Sequence, residues 1–170
     1  RQTTKHRIKR KKTQPMARIE SPCIGICSTT LGDDVCRGCK RHSDEILSWG
    51  HAEADMRESV MQRIESLTIA AVTEYFELLD KNQLQQQLTQ RRIRYTKRFA
   101  PQCWVVDLLR VGAGRIQDIE AYGITLTDQA RRLSPDTGRH NTSSRLLEII
   151  YQKINQTILE ETDRLICEKS

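Results

Sequence analysis

Cys23, Cys27, Cys36 and Cys39 stand as C-x3-C-x8-C-x2-C inside 17 residues, a density at which four thiolates can reach one metal ion. Cys103 and Cys167 lie far away and isolated; Cys103, beside Trp104, reads as a packed thiol. A disulfide pair is the competing use of the cluster. No secretory apolar run follows the basic start, so a reducing cytoplasm is expected, where a structural disulfide would not persist. A tetrahedral thiolate site is therefore the reading. Gly25 lets the first loop fold tightly, and Gly38 relieves crowding where backbone amides turn towards the sulfurs. Arg37, Lys40 and Arg41 add positive charge, which favours thiolate over thiol. His42 follows Cys39 by three residues and could replace a cysteine, but four thiolates already saturate the site, so a surface or supporting imidazole is expected.

Zinc and an iron–sulfur cluster both accept four cysteines. The two short arms and the intervening loop favour a single zinc centre that supplies folding free energy, with an iron–sulfur cluster as the alternative. A closed tetrathiolate site leaves no position for a metal-bound water, and His6 in the arm, His51 after a glycine and His140 in a turn show no obvious carboxylate-plus-nucleophile arrangement. No catalytic residue nominates itself. The expected function is a non-catalytic, metal-stabilised binding or adaptor protein; the alternative is an iron–sulfur redox or iron-sensing protein.

A second chemistry is carried by the bases. Residues 1–18 hold eight of the 28 Lys and Arg and none of the 22 Asp and Glu, so the rest of the chain carries a net charge of −2. Residues 1–15 have Ile8 as their one apolar side chain, so the arm cannot bury enough surface to fold alone and is expected to be disordered when free. Lys5, Arg7, Lys9, Arg10, Lys11 and Lys12 suit a phosphate backbone. Arg91, Arg92, Arg94, Lys97 and Arg98 surround Tyr95, a mixture that could grip phosphates and stack a base; a solvated helix face with Tyr95 packed inward is the other reading. RNA, DNA or a ribonucleoprotein is the expected partner, with a protein docked on the C-terminal helical unit as a further possibility.

The elements that must position these residues read as mainly α. Mean hydropathy is −0.62, and no apolar run approaches the roughly 20 residues of a membrane span. No membrane contact is expected. The division is a disordered arm over 1–18, a four-cysteine metal module over 19–50, a long helix or helix pair over 51–98 and a C-terminal helical domain over 99–170. Ser43, with Asp44 and Glu45 behind it, predicts the cap of a short helix that brings Trp49 against the module and ends at Gly50. Met56, Val60, Ile64, Leu67, Ala71, Tyr75 and Leu78 predict one amphipathic helix from Ala52 to Leu78, which Asp80 to Asn82 break or kink before a polar helix over 83–98. Ala100-Pro101 marks a boundary. WVVDLLRV reads as a buried helix, or else a strand, ended by Gly112 and Gly114. Residues 115–122 read as helical, Thr127 caps a short helix, and residues 134–138 form a turn. Leu147, Ile150, Ile154, Ile158 and Leu165 line one face of a terminal helix.

SPCIGIC, CRGCKR and DEILSW, followed by an amphipathic helix, resemble the small bacterial YdhL-like four-cysteine family (domain of unknown function 1289), whose members are described as predicted iron–sulfur proteins. The resemblance covers residues 21–66, with Pro22, Gly25, Gly38, Asp44, Glu45 and Trp49 where the pattern puts them. It implies Cys23, Cys27, Cys36 and Cys39 as metal ligands, and it implies no activity. The basic arm and the residues after the module lie outside it.

Overall fold

In the computed structural model, which describes residues 18–134 and 142–169, the first helix is α1 (Ser43–Ser48), and its cap is His42 rather than Ser43. His42 Nδ1 accepts the Asp44 N–H at 3.3 Å and Glu45 Oε2 accepts the His42 N–H at 2.9 Å, a reciprocal capping box in which an imidazole replaces the usual hydroxyl. The helix stops at Ser48, short of Gly50, with Trp49 beyond its end.

α2 (Ala54–Thr73) buries Val60, Met61, Ile64, Thr68, Ala71 and Val72. The single helix expected through Leu78 ends five residues early, because the chain straightens into β1 (Phe76–Leu78) and pairs antiparallel with β2 (Ile124–Leu126), Phe76 opposite Leu126 and Leu78 opposite Ile124. Apolar residues at 75 and 78 satisfy a helical period, yet a strand partner distant in sequence decides the outcome.

Asp80 breaks the chain cleanly by capping α3 (Lys81–Gln90), accepting the N–H groups of Asn82 and Gln83 at 2.8 and 3.1 Å. Leu84 and Leu88 are fully buried. The polar helix expected over 83–98 does not continue past Gln90. Arg92 adopts φ +54°, its N–H bonds to the Thr89 carbonyl, and the Ile93 N–H bonds to the Leu88 carbonyl at 2.9 Å. This is the left-handed C-terminal motif usually built on glycine, and it turns residues 91–100 into a loop.

α4 (Pro101–Gly112) starts on proline, whose missing N–H costs nothing in a first turn, and the helical reading of WVVDLLRV holds over the strand. Between Arg115 and Tyr122 a single 3-10 turn, Glu120–Tyr122, replaces the expected helix. α5 (Asp128–Arg132) is capped by Thr127, whose Oγ1 accepts the Ala130 N–H. In α6 (Thr142–Cys167) Leu147, Ile150, Ile154 and Ile158 are at most 1% exposed, while Leu165 is half-buried. Of the turn expected over 134–138, only Ser134 lies within the described residues.

The main core joins Ala71 and Val72 of α2, Leu84 and Leu88 of α3, Leu108 and Leu109 of α4 and the apolar face of α6. A smaller cluster of Val60, Met61, Ile64, Phe99 and Cys103, with Ile19 and Trp49 packed on it, seats the cysteine module against α2 and α4. Among the described residues no helix is long and apolar enough to cross a membrane.

Candidate metal centre and basic groove

The turn from Cys36 to Cys39 is the best-defined part of the module. Cys36 N–H donates to the Arg41 carbonyl and Lys40 N–H to the Cys36 carbonyl, both at 2.9 Å, and Val35 bridges His42 antiparallel. Lys40 takes a left-handed backbone at φ +64°, the conformation that turns successive amides to one side. Burial raises the Cys36 thiol, but backbone hydrogen bonds at Cys39, Ser28 and Gly38, together with the Cys39 side chain, outweigh it and bring the pKa down to about 7. The Cys39 thiol is raised by burial, against the pull of Arg41.

The first limb crosses this turn at Gly38. A Cβ there would stand 2.7 Å from the Ile26 carbonyl and 3.1 Å from the Ile24 side chain, so a larger residue would push the limbs apart. Cys36 Sγ lies 3.6 Å from the same carbonyl, and Ser28 Oγ accepts the Arg37 N–H at 2.9 Å. Within the limb, Gly25 sits at φ +89°, Cys23 Sγ accepts the Gly25 N–H at 3.4 Å, and Cys27 Sγ shares a hydrogen bond with Thr29 Oγ1 at 3.0 Å.

Of the three neighbouring cations, Arg41 touches sulfur. Its Nε donates to Cys39 Sγ at 3.3 Å while its guanidinium lies 4.8 Å from the Trp49 ring centre, so the tryptophan expected beside the module stacks on the residue that contacts a thiol. Arg37 turns away to Asp33 at 2.9 Å. Lys40 Nζ donates to the Arg37 carbonyl, and burial lowers its pKa to about 8.

One bracing residue was not visible in the sequence. Arg63 of α2 forms a two-point ion pair with Glu45 and also donates to the Lys40 carbonyl at 3.2 Å, tying the capping box and the cysteine turn to the helical core. Only Glu45, three residues after His42, hinted at the cap.

All six cysteines are free. Among the described residues no group of three or more His, Cys, Asp or Glu side chains is arranged to hold a metal ion: Cys36 Sγ bonds to the Ile26 carbonyl and Cys39 Sγ to Arg41, whereas Cys23 and Cys27 bond within their own limb. The donor chemistry nevertheless fits a tetrathiolate centre. Four thiols lie on two touching limbs, with amides directed at Cys36 and a guanidinium at Cys39. His42 is occupied as the cap of α1.

Cys103 is separate in character. Burial, with the nearby carboxylates of Glu65 and Asp107, pushes its thiol up to about 12, and its Sγ donates to the Glu65 carbonyl at 3.7 Å. In the native chain it should resist alkylation at neutral pH and label only after denaturation. Mass-spectrometric mapping checks this, and labelling of Cys103 as fast as that of exposed Cys167 would contradict it.

The basic residues divide. Lys5, Arg7, Lys9, Arg10, Lys11 and Lys12 lie outside the described residues. Arg91 stacks 4.8 Å from the Tyr122 ring centre and bonds to Gln87, and Arg92 occupies the helix-end turn. Arg94, Tyr95, Lys97 and Arg98 instead line a groove of about 730 Å³ together with residues 18–24, Glu58 and Met61 of α2 and Asp107 of α4. Arg98 is paired with Glu58 at 2.7 Å. Tyr95 is half-buried, its ring centre 4.9 Å from that of Trp104 and its hydroxyl accepting from Gln85 Nε2 at 3.0 Å.

This side of the groove is well fastened. Trp104 Nε1 donates to the Thr96 carbonyl, Arg110 Nη2 to the Arg94 carbonyl, and the Ala100 N–H to Glu65. The opposite side is the limb that carries Cys23. Sequence reasoning did not foresee this meeting of cysteine module and basic loop, because the two segments are some 70 residues apart.

Residues 21–67 match the sequence model of a family described as a protein of unknown function (DUF1289). The DUF1289 segment takes in all four clustered cysteines, α1 and α2 as far as Leu67, and so contains both Glu45 and its partner Arg63. It covers less than half of the chain and excludes the basic loop. No curated protein and no solved structure matches the sequence.

Proposed function

We propose that this chain is a non-catalytic, metal-stabilised binding protein that contacts RNA, DNA or a ribonucleoprotein in the cytoplasm, with a single zinc held by Cys23, Cys27, Cys36 and Cys39. The observation that carries this reading is the groove shared by the cysteine-bearing limb and the basic loop. Zinc bound by four thiolates supplies a crosslink between the limbs and free energy of folding. The residues of the chain do the rest: Arg18, Arg94 and Lys97 present positive charge along the groove, and the ties from Trp104, Arg110 and Glu65 hold the loop in place.

Binding of short RNA and DNA should then fall steeply with salt, by about 0.7–0.9 in log–log slope for each phosphate neutralised. Removing residues 1–15 should flatten the slope by several units, since that arm carries most of the basic excess. Fluorescence anisotropy across a salt series measures the full chain and the shortened one. Equal, shallow slopes would overturn the nucleic-acid reading and leave the C-terminal helical unit as the surface for a protein partner.

A further inference from the structure

We infer that the groove between residues 18–24 and 94–98 takes a single strand of nucleic acid in preference to a duplex. This rests on the nucleic-acid reading above and adds the form of the ligand. Ile19, Ile24 and Tyr95, with buried Pro22 and Met61 behind them, place apolar surface in the same groove as Arg18, Arg94 and Lys97. A duplex offers convex ridges of phosphate and keeps its base faces stacked inside, so it satisfies cations and leaves a concave apolar lining uncovered. A single strand offers both parts, phosphates for the cations and unstacked base faces for the apolar lining.

The acids in the groove point the same way. Glu20, Glu58 and Asp107 line it too. Glu58 is bound to Arg98 through both carboxylate oxygens, and Asp107 is bound to Arg110 at 2.9 Å. A surface that simply blanketed a phosphate backbone would exclude carboxylates. Base edges, by contrast, carry amino groups that a carboxylate can accept from, and those edges are accessible on an unpaired strand. Because Glu58 already offsets Arg98, phosphate contact falls chiefly to Arg18, Arg94 and Lys97.

The test uses the full chain as purified with a mixed-sequence RNA strand, a mixed-sequence DNA strand and a mixed-sequence duplex, each of about ten nucleotides or base pairs. Either single strand should bind about tenfold more tightly than the duplex at the same salt. Arg94→Ala and Lys97→Ala change exposed side chains and leave the fold intact; combined, they should reduce the single-strand salt slope by about 1.4, two contacts at about 0.7 each. Duplex binding equal to or tighter than single-strand binding overturns the inference and leaves the broader function standing. An unchanged slope in the double variant removes the ligand from this groove and also overturns it. Absence of binding to strand and duplex alike at low salt overturns both readings.

Discussion

Replacing Cys36 with serine should release the proposed zinc and unfold residues 21–49, while α2 to α6 stay folded. Cys36 is completely buried where the two limbs meet, and apart from the Glu45–Arg63 pair and the packing of Trp49 and Ile19 the module has few ties to the helical core. Ile26, Leu31 and Leu47 are 64%, 87% and 79% exposed, so three of the module's large apolar side chains face solvent and its own core is small. Structural zinc sites in small domains contribute roughly 10–16 kcal/mol of apparent binding free energy at neutral pH, and losing one thiolate removes much of it. Cys103→Ser should retain the metal, because Cys103 belongs to the packed cluster with Val60 and Ile64. Cys167→Ser should retain it too. Metal-to-protein ratios together with hydrogen exchange over the module check the contrast; a ratio near one in Cys36→Ser, with unchanged protection, would contradict it.

Glu45→Ala should loosen the module from the helical core even with all four cysteines intact. The carboxylate accepts from both terminal nitrogens of Arg63 and from the His42 N–H, and both side chains of the ion pair are only 14% exposed. Its loss strands a guanidinium whose Nε has no partner among the described residues. Breaking one side of a buried pair costs about 3–5 kcal/mol, whereas replacing both partners with apolar residues is often close to neutral. Urea unfolding of Glu45→Ala, of Arg63→Met and of the double variant Glu45→Leu with Arg63→Met measures this. A single-variant cost below about 1 kcal/mol would show that the pair is not a brace.

The contrast between these two sites shows which parts of the molecule could be read from the chain. Cys23, Cys27, Cys36 and Cys39 were legible as a candidate site because they are neighbours in sequence. So was the buried face of α6, where Leu147, Ile150, Ile154 and Ile158 repeat at helical spacing over many turns, and the Thr127 cap, which depends on the next three residues. The strand at Phe76–Leu78 was not legible, because pairing with residues 124–126 decides it. The end of α3 was hidden because Arg92 takes the left-handed turn where a glycine would have signalled it. The cap of α1 was misplaced by one residue, since His42 accepts through an imidazole nitrogen while Ser43 looked the better cap. Arg63 and the groove depend on contacts across the fold, and no local pattern encodes them.

The most direct measurement is metal and sulfide analysis of the full chain purified without oxygen. Colourless protein with a single zinc per chain, lost on replacing Cys36, is the predicted result. Protein that carries no metal would contradict a metal-stabilised module, and brown protein containing iron and acid-labile sulfide would contradict zinc and make the redox reading the correct one.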